Sequence, residues 1–308
     1  MRTILVRLIS LCCFQYTNAQ IAKIPFKKMG KGMAIQIAIN DAEKAWMIFD
    51  TGATMTAIDS TYATQIGLKA DYSNNFGGAS GSKQLSFSNR NQIHIATKLS
   101  LENITVVMPN LSALKTDLKE NVVGIIGYNI LMNYKVLIDY KSQTIALYKF
   151  EDELSFNDYK ELDFTFDNNI TIPQFDIEIE LSKNEKIKGK VLFDTGAALS
   201  LMLNVPFIEE NGIETKLKSI QVLEKETKSL NGNFKADKGE LDGLTINGYS
   251  FCNVEIFLPS KNLKSGVSAM NGYLGILGNE IIKQFHWIID YEAMKLYMKS
   301  NDLYTSDI

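Results

Sequence analysis

The sequence has few of the residues on which metal sites and disulfide frameworks depend. Its 308 residues include three cysteines and two histidines. Neither His94 nor His286 has a cysteine or a carboxylate at metal-ligand spacing, so a metal site is not predicted, and no Ser-His-Asp assembly has obvious members. His286 lies in an apolar stretch and is interpreted as structural. We therefore expect a protein that uses neither a metal nor another cofactor.

Cysteine is scarcer still beyond the N-terminal segment. Cys12 and Cys13 both lie in that segment, which leaves Cys252 alone. A single thiol excludes an internal disulfide. Within the apolar stretch YSFCNVEIFL, Cys252 is predicted to be a small buried residue on a strand.

Strong net charge and long hydrophobic runs are absent as well. The chain carries 32 basic and 35 acidic residues, a formal net charge of −3, which gives no reason to expect a nucleic-acid partner. No apolar run approaches the ~20 residues that a membrane-spanning helix needs, so no membrane span is predicted. Hydrophobic residues nevertheless make up 45% of the chain, enough for a buried core.

Residues 1–19 are typical of a secretory signal peptide. MRTILVR is positively charged, LISLCCF is a short apolar run, and TNAQ supplies small residues around a cleavage site after Ala19. Attachment of a lipid at Cys12 or Cys13 is the alternative, although Leu11 is bulkier than lipoprotein signals usually tolerate in front of the modified cysteine. We expect an exported protein, periplasmic or extracellular.

The remaining sequence is rich in strand signals. Short apolar or alternating runs, such as MAIQIAI, KVLIDY and QFDIEIEL, are bounded by Gly, Asn, Asp or Lys. The best helical periodicity is found in TAIDSTYATQIG, YNILMNY and NEIIKQF. The pattern predicts an all-β protein with few helices.

One short motif, an aspartate on a glycine turn behind an apolar run, occurs twice. It reads WMIFDTGATMT at 46–56 and KVLFDTGAALS at 190–200. Asp50 and Asp194 therefore lie 144 positions apart, each at the end of a predicted strand.

A longer segment also recurs. GIIGYNILMNYKVLIDYKSQTIALYK in the first half corresponds to GILGNEIIKQFHWIIDYEAMKLYMK in the second. Gly127 and Gly278, and likewise Asp139 and Asp290, are offset by 151 positions. Asp139 and Asp290 are interpreted as strand-end residues that bond the backbone or start a hairpin.

Three landmarks in the same order indicate an internal duplication. We predict two homologous β-rich lobes, at 21–150 and 165–300. The least apolar join, YKFEDELSFNDYKELDF, lies between them, so that a linker is predicted at 151–164.

The duplicated aspartates indicate acid–base chemistry. Two carboxyl groups ~3 Å apart cannot both ionise, so they share a proton, one acting as acid and the other as base. Such a pair can activate a water for attack on a peptide carbonyl while the acid protonates the carbonyl oxygen. The two groups would titrate as one unit.

The two DTGA words, each followed in its half by an apolar-apolar-glycine segment, resemble aspartic peptidases of the pepsin and retropepsin kind, and more specifically the bacterial retropepsin-like aspartyl proteases. The resemblance covers nearly all of the chain after the predicted signal peptide. It implies two acid-protease-type β-barrel lobes with pseudo-twofold symmetry and a cleft between them. It also implies an aspartic endopeptidase (a hydrolase) that takes a peptide or protein substrate and suffices as a monomer.

The resemblance assigns roles by position in the motifs. Asp50 and Asp194 correspond to the catalytic pair. The supporting residues are the threonines that bond across the lobe interface, the turn glycines, the alanines after them and the glycines behind each aspartate: Thr51, Thr195, Gly52, Gly196, Ala53, Ala197, Gly127 and Gly278.

The resemblance also places a flap over the substrate. In the first lobe it corresponds to NNFGGASGSKQ at 74–84, where Phe76, Gly77 and Gly78 are the substrate-binding candidates. In the second lobe, LNGNFKADKGE at 230–240 is the positional equivalent.

One detail departs from the pepsin pattern. Pepsin-type sites usually carry serine or threonine after the turn glycine, where the hydroxyl can bond a carboxylate, whereas this chain has Ala53 and Ala197. Losing a bond to the charged form leaves the carboxyl groups less acidic. We therefore predict a pH optimum in weakly acidic to near-neutral conditions.

Two other classes of protein remain open. A noncatalytic protein on the same two-lobed fold would bind peptide or glycan without turnover. A cell-envelope protein whose lobes merely stabilise each other would have no peptide affinity.

Overall fold

The computed structural model describes residues 20–78, 81–97, 99–118, 121–181, 185–224, 227–229 and 232–306. The predicted signal peptide lies outside the described residues. Strands hold 51% of the chain and helices are few and short, which confirms the predicted all-β class. In the described part of the chain, every helix is too short or too polar to cross a membrane.

The elements of the first half follow each other closely. In chain order they are β1 Ala22–Pro25, β2 Lys27–Met29, β3 Gly32–Ile39, β4 Ala45–Phe49, β5 Ala57–Ile58, α1 Ser60–Gln65, β6 Tyr72–Gly78, β7 Gly81–Ala96, β8 Leu99–Met108, α2 Ser112–Leu118, β9 Val122–Ile126, α3 Tyr128–Leu131, β10 Lys135–Asp139 and β11 Thr144–Tyr148.

The second half repeats this order with additions. Its elements are β12 Lys160–Asp163, β13 Gln174–Leu181, β14 Glu185–Phe193, β15 Leu201–Leu203, α4 Val205–Asn211, a 3₁₀ turn Ile213–Thr215, β16 Ile220–Gln221, β17 Thr227–Ser229, β18 Gly232–Phe234, β19 Ala236–Ile246, β20 Tyr249–Pro259, a 3₁₀ turn Val267–Ala269, β21 Gly275–Leu277, α5 Asn279–Ile282, β22 Phe285–Asp290 and β23 Lys295–Ser300.

Six strands of the first half close into a barrel. β3 pairs with β4, β4 with β9, β9 with β5, β5 with β8, β8 with β7, and β7 returns to β3. The alternation in β3 turns Met33, Ile35 and Ile37 inward, as a strand with one buried face requires. β9 is buried along its whole length. Because β4 and β9 run parallel, Phe49 and Ile126 end side by side.

Six strands of the second half close in the same way. β13 pairs with β14, β14 with β21, β21 with β15, β15 with β20, β20 with β19, and β19 returns to β13. Each strand has a counterpart at the same place in the first barrel. The prediction of a two-lobed all-β fold is therefore confirmed.

A third sheet joins the lobes. Its order is β1-β11-β10-β22-β23-β12, so both halves contribute strands and the antiparallel pair β10–β22 lies at its centre. Leu137 faces Ile288 in that pair, and the two residues are equivalents at the repeat offset of 151. The pseudo-twofold axis therefore passes through the centre of this sheet. β12 lies inside the segment predicted as a linker, so the join itself supplies an edge strand.

The interlobe sheet also connects the cores. Trp287 on β22 is fully buried, with its ring 4.7 Å from that of Phe193 at the end of β14. Its indole N–H donates to the Ile282 carbonyl at 2.8 Å. A single apolar cluster runs from the first barrel through this sheet into the second, which holds the two aspartate-bearing strands in a common frame.

The prediction that Cys252 is buried is wrong, because its side chain is exposed. On β20, Phe251 points into the core at 1% exposure, so its neighbour faces outward. Asn253 then has a positive φ of 53°, which interrupts the alternation and returns Val254 to the core. The apolar character of the stretch hid this irregularity.

Candidate active site

Each candidate catalytic aspartate follows a buried strand of its barrel. Asp50 comes directly after β4, and its N–H donates to the Ile126 carbonyl at 3.1 Å. Asp194 comes directly after β14, and its N–H donates to the Leu277 carbonyl at 3.0 Å. The two strand ends are therefore fixed by equivalent parallel strands, β9 in the first lobe and β21 in the second.

The threonines after the aspartates bond to each other across the lobe interface. Thr51 N–H donates to Thr195 Oγ1, and Thr195 N–H donates to Thr51 Oγ1, both at 3.0 Å. The Thr51 hydroxyl donates to the Phe193 carbonyl at 2.7 Å, and the Thr195 hydroxyl donates to the Phe49 carbonyl at 3.1 Å. Both threonines are buried, at 1% and 0% exposure. This reciprocal network sets the relative position of the two strand ends.

The two carboxyl groups pack against each other's glycine turn. A Cβ added to Gly52 would lie 2.3 Å from Cγ of Asp194, and one added to Gly196 would lie 2.4 Å from Cγ of Asp50. Only residues without a side chain leave room for this approach. Gly52 N–H donates to Asp50 Oδ1 at 2.8 Å, and Gly196 N–H donates to Asp194 Oδ1 at 2.9 Å.

Burial and mutual repulsion make the pair hold a proton. Burial raises the pKa of Asp50 well above its ordinary value, and the charge of Asp194 and the hydrogen bond between the two groups raise it further. Burial also raises the pKa of Asp194. Hydrogen bonds from the backbone amides of Gly52, Gly196 and Ala197 lower the pKa values of the two aspartates. The net effect is a pKa raised above the ordinary value for both carboxyl groups.

The alanines and the second pair of glycines lie behind the aspartates. A Cβ on Gly127 would lie 2.7 Å from the Ala53 carbonyl oxygen, and one on Gly278 would lie 2.9 Å from that of Ala197. These two carbonyls accept the N–H groups of Tyr128 and Asn279, each at 2.8 Å. The apolar-apolar-glycine segments therefore thread tightly under the DTGA turns. Ala197 N–H also donates to Asp194 Oδ1 at 2.8 Å.

The segment predicted as the first flap is a hairpin. β6 pairs with β7 from Tyr72–Phe87 to Gly78–Gly81, with Gly77 opposite Ser82. Phe76 is half-buried, and its ring lies edge-on to Phe87 with 6.2 Å between centroids. The turn itself, residues 79 and 80, lies outside the described residues.

The hairpin extends towards the other lobe. A Cβ on Gly81 would lie 3.2 Å from Oγ of Ser265 in the second half. In the second-lobe equivalent, residues 230 and 231 lie outside the described part of the chain. The flanking strands β17 and β18 pair with each other.

Asp139 and Asp290 are the last residues of β10 and β22. Asp139 Oδ1 accepts from Lys141 N–H and Ser142 N–H at 2.9 and 3.0 Å, and Asp290 Oδ1 accepts from Ala293 N–H at 2.9 Å. The structure thus places both in hairpin turns, as interpreted from the sequence.

Sequence reasoning missed an aromatic cluster near Asp50. Tyr291 is 6% exposed, and the charge of Asp50 contributes to raising its pKa, after burial and Tyr128. Its ring lies 5.4 Å from Tyr128 and 6.5 Å from Phe166. The recurring Asp-Tyr pairs at 139–140 and 290–291 are the signal in the sequence from which this cluster could have been predicted.

The described residues contain no group of three His, Cys, Asp or Glu side chains placed to hold a metal ion.

Each of the two barrels supplies one aspartate, and its carboxyl group packs against the glycine turn of the other barrel. The protein is therefore an all-β protein of two lobes that meet at these turns. Residues 35–130, which contain Asp50 and Gly127, match the model of a family described as "Aspartyl protease". The resemblance to aspartic peptidases is therefore confirmed. A comparison with curated proteins gave no match.

Proposed function

We propose that the protein is an aspartic endopeptidase in which Asp50 and Asp194 activate one water molecule. The observation that carries the proposal is the mutual packing of the two carboxyl groups against Gly196 and Gly52, one from each lobe. The family match over the first lobe supports a protease-type function. The hydrogen bonds between Thr51 and Thr195 across the lobe interface also support the proposal.

The proposed reaction is hydrolysis of a peptide bond. The water oxygen forms a bond to the carbonyl carbon and gives one proton to the ionised carboxylate. The protonated carboxyl group gives its proton to the carbonyl oxygen, which produces a tetrahedral diol. Proton transfer to the leaving nitrogen then breaks the C–N bond. No step needs a metal or a redox partner.

We further propose that the substrate lies extended between the lobes. The β6–β7 hairpin offers main-chain groups for strand-like pairing with a peptide, and Phe76, Gly77 and Gly78 are the candidate contacts. A single chain supplies both aspartates, so a monomer suffices. Export, with cleavage of residues 1–19 and a periplasmic or extracellular location, is part of the same proposal.

Cleavage profiling on a diverse peptide pool between pH 3 and 8 tests the function. Asp194→Asn keeps the shape of the side chain and removes its proton chemistry, so we expect turnover to fall by at least about 10²–10⁴-fold while peptide binding persists. The wild type should be most active in weakly acidic to near-neutral solution and sensitive to pepstatin-like inhibitors.

Three results would contradict the proposal. A wild type that binds peptides without cleaving them would indicate a noncatalytic binding protein. Absence of both binding and cleavage would indicate a cell-envelope role. A rate maximum near pH 2 would refute the inferred effect of Ala53 and Ala197.

A further inference from the structure

Three segments of the chain carry only basic charges, although the chain as a whole has a formal net charge of −3. They are residues 81–87, 234–236 and 259–272, which together contain four lysines and no acidic residue. We call these three segments the basic rim. Its lysines are Lys83, Lys235, Lys261 and Lys264.

The first segment of the basic rim meets the third where the β6–β7 hairpin approaches the second lobe. A Cβ added to Gly81 would lie 3.2 Å from Oγ of Ser265. In the same hairpin, Phe76 packs against an apolar cluster of the first lobe. Ala53, in the turn that carries Asp50, packs against that cluster as well. The hairpin therefore extends from the surroundings of the Asp50 turn to the second lobe.

The second and third segments lie beside the turn that carries Asp194. Ser260 N–H donates to the Lys235 carbonyl at 2.9 Å, which joins the two segments. Ala197, in the Asp194 turn, packs against an apolar cluster of the second lobe. The basic rim contributes to this cluster the residues Phe234, Ala236, Leu263, Val267 and Met270. The basic rim and the Asp194 turn therefore share apolar contacts.

The lysines of the basic rim are all exposed. One of them, Lys261, forms an ion pair with Glu214. In the part of the chain that the structure describes, Lys83, Lys235 and Lys264 have no carboxylate partner. Three positive charges near the two aspartates are therefore available to a ligand.

The corresponding segment of the first lobe is balanced in charge. Asp59, directly after β5, and Asn204, directly after β15, hold the corresponding segments 109–122 and 259–272. The first-lobe segment contains two lysines, one aspartate and one glutamate, whereas the second-lobe segment contains two lysines and no acidic residue. Lys115 of the first-lobe segment also forms an ion pair with Asp59. The positive charge is therefore concentrated where the hairpin meets the second lobe.

We propose that the basic rim recognises acidic side chains of the substrate, so that the protein prefers peptides with aspartate or glutamate on one side of the cleaved bond. The inference rests on the proposed function and names the substrate class of that site. An acidic peptide supplies the carboxylates that Lys83, Lys235 and Lys264 lack. Each contact between exposed charges is weak, but charges of one sign together attract a complementary ligand and set its orientation.

Matched peptides test this preference. In each pair, one glutamate is replaced by glutamine at one position on either side of the cleaved bond, and cleavage is measured at about pH 6, where glutamate is ionised. We expect kcat/KM to be about 3–10-fold higher for the glutamate peptide on one side of the bond, through KM and not kcat. The ratio should fall as NaCl is raised from about 0.05 M to about 0.5 M, because salt screens exposed charges.

Substitution of the lysines tests whether the basic rim causes the preference. We expect Lys83→Gln, Lys235→Gln and Lys264→Gln each to raise KM for the glutamate peptide about 2-fold, and the triple variant to remove the preference. Cleavage of the glutamine peptide should not change. Lys44→Gln is the matched control, because Lys44 is also exposed but directly precedes β4, at the opposite end of that strand from Asp50.

Peptide binding to Asp194→Asn gives a readout that needs no turnover. Fluorescence anisotropy with the labelled glutamate and glutamine peptides should give a Kd ratio that matches the KM ratio. The ratio should disappear when the three lysine substitutions are added to Asp194→Asn. A wild type that cleaves no peptide would refute the proposed function, whereas the anisotropy ratio would still decide whether the basic rim binds acidic peptides.

Three outcomes would overturn the inference. The first is equal KM and equal Kd for the glutamate and glutamine peptides at every position. The second is a glutamate preference that persists in the triple variant, since other residues would then recognise the charge. The third is a preference of the same size on both sides of the cleaved bond, which a rim on one side does not produce.

Discussion

Where the two lobes meet, their central strands pair symmetrically, but the side chains at equivalent positions differ. The central pair β10–β22 is closed at each end by a contact between lobes: Lys135 Nζ forms an ion pair with Asp290 Oδ2 at 3.5 Å, and His286 Nδ1 lies 3.1 Å from Asp139 Oδ1. Lys135 and His286 are equivalents at the offset of 151, as are the two aspartates. The pseudo-twofold axis therefore preserves the position of the contact but not its chemistry.

A second difference lies beside the DTGA turns. Asp59 accepts hydrogen bonds from Tyr62 N–H and Leu111 N–H and an ion pair from Lys115. Asn204 occupies the corresponding position of the second lobe, since Asp59 N–H bonds Val123 and Asn204 N–H bonds Leu274, which are equivalents. Its amide donates instead to the carbonyls of residues 267 and 270. At equivalent places, the first lobe therefore uses an acceptor, the Asp59 carboxylate, and the second lobe uses a donor, the Asn204 amide, to hold the adjacent segment.

The threonines show the opposite case. Thr51 and Thr195 are each other's partners, and both the residue type and the geometry are the same in the two lobes. The contact between the two threonines is therefore symmetric in residue type and geometry, whereas the contacts of Lys135 and His286 are not.

The largest expected effect comes from adding a side chain to either turn glycine, Gly52 or Gly196. In Gly52→Ala or Gly196→Ala, the added Cβ would overlap the opposite carboxyl group and push it aside. Because a displacement of about 1 Å can cost 10²-fold, we expect peptide cleavage to fall by at least about that factor, equally for the two variants. Gly32→Ala, where a Cβ meets only ordinary contacts at 3.7 Å or more, is the control. Retained activity in either variant would show that the two turns do not contribute equally to the site.

The two interlobe contacts should differ in their contribution to stability. Lys135 and Asp290 have side chains only 11% and 7% exposed, so Lys135→Met leaves a buried charge without compensation and should cost about 3 kcal/mol of unfolding free energy. The His286 pair is more exposed, at 17% and 30%, and His286→Gln should cost less than about 1 kcal/mol. Urea denaturation at pH 7 measures both. Equal losses would show that burial does not separate the two contacts.

A further expected effect, at Asp59, depends on pH. Burial alone would raise the pKa of Asp59, but the Lys115 hydrogen bond and the amides of Leu111 and Tyr62 outweigh it and hold the pKa below its ordinary value. A lowered pKa means that Asp59 stabilises the fold above about pH 4, the range of its unfolded pKa, and that this contribution disappears as the pH falls through the folded value.

Asp59→Asn makes the first lobe resemble the second at this position. We expect it to cost about 1–3 kcal/mol at pH 7 and progressively less below pH 4, as followed by urea denaturation at several pH values. Asn204→Asp is the reciprocal variant and should destabilise the fold most at neutral pH, since a carboxylate cannot donate to the two carbonyls. A loss for Asp59→Asn that is constant from pH 7 to pH 3 would contradict the role of the carboxylate charge.

Much of the architecture could be predicted from the sequence because the same motifs occur in both halves in the same order. The constant offset of 151 placed Gly127 with Gly278 and Asp139 with Asp290, and the alternating runs indicated strands. The DTGA words likewise indicated which carboxyl groups would come together. These features depend on local pattern and on repetition, both of which a single sequence displays.

The interlobe contacts could not be predicted in the same way. An offset relates Lys135 to His286 but does not say that each faces the aspartate of the other lobe, which depends on the antiparallel register of β10 and β22. The aromatic contact of Tyr128 with Tyr291 depends on the same crossing. Cys252 was mispredicted because Asn253 interrupts the strand alternation beside it.

In the sheet that crosses the pseudo-twofold axis, equivalent positions of the two halves can carry different residues, which a pair of identical subunits does not allow. In a dimer of one such half, a lysine at the end of the central strand would have to appear at both ends, and an asparagine behind one turn would have to appear behind the other. Joining the halves covalently through β12 lets each position change alone. A site built from matching strands can in this way surround its two aspartates with different side chains.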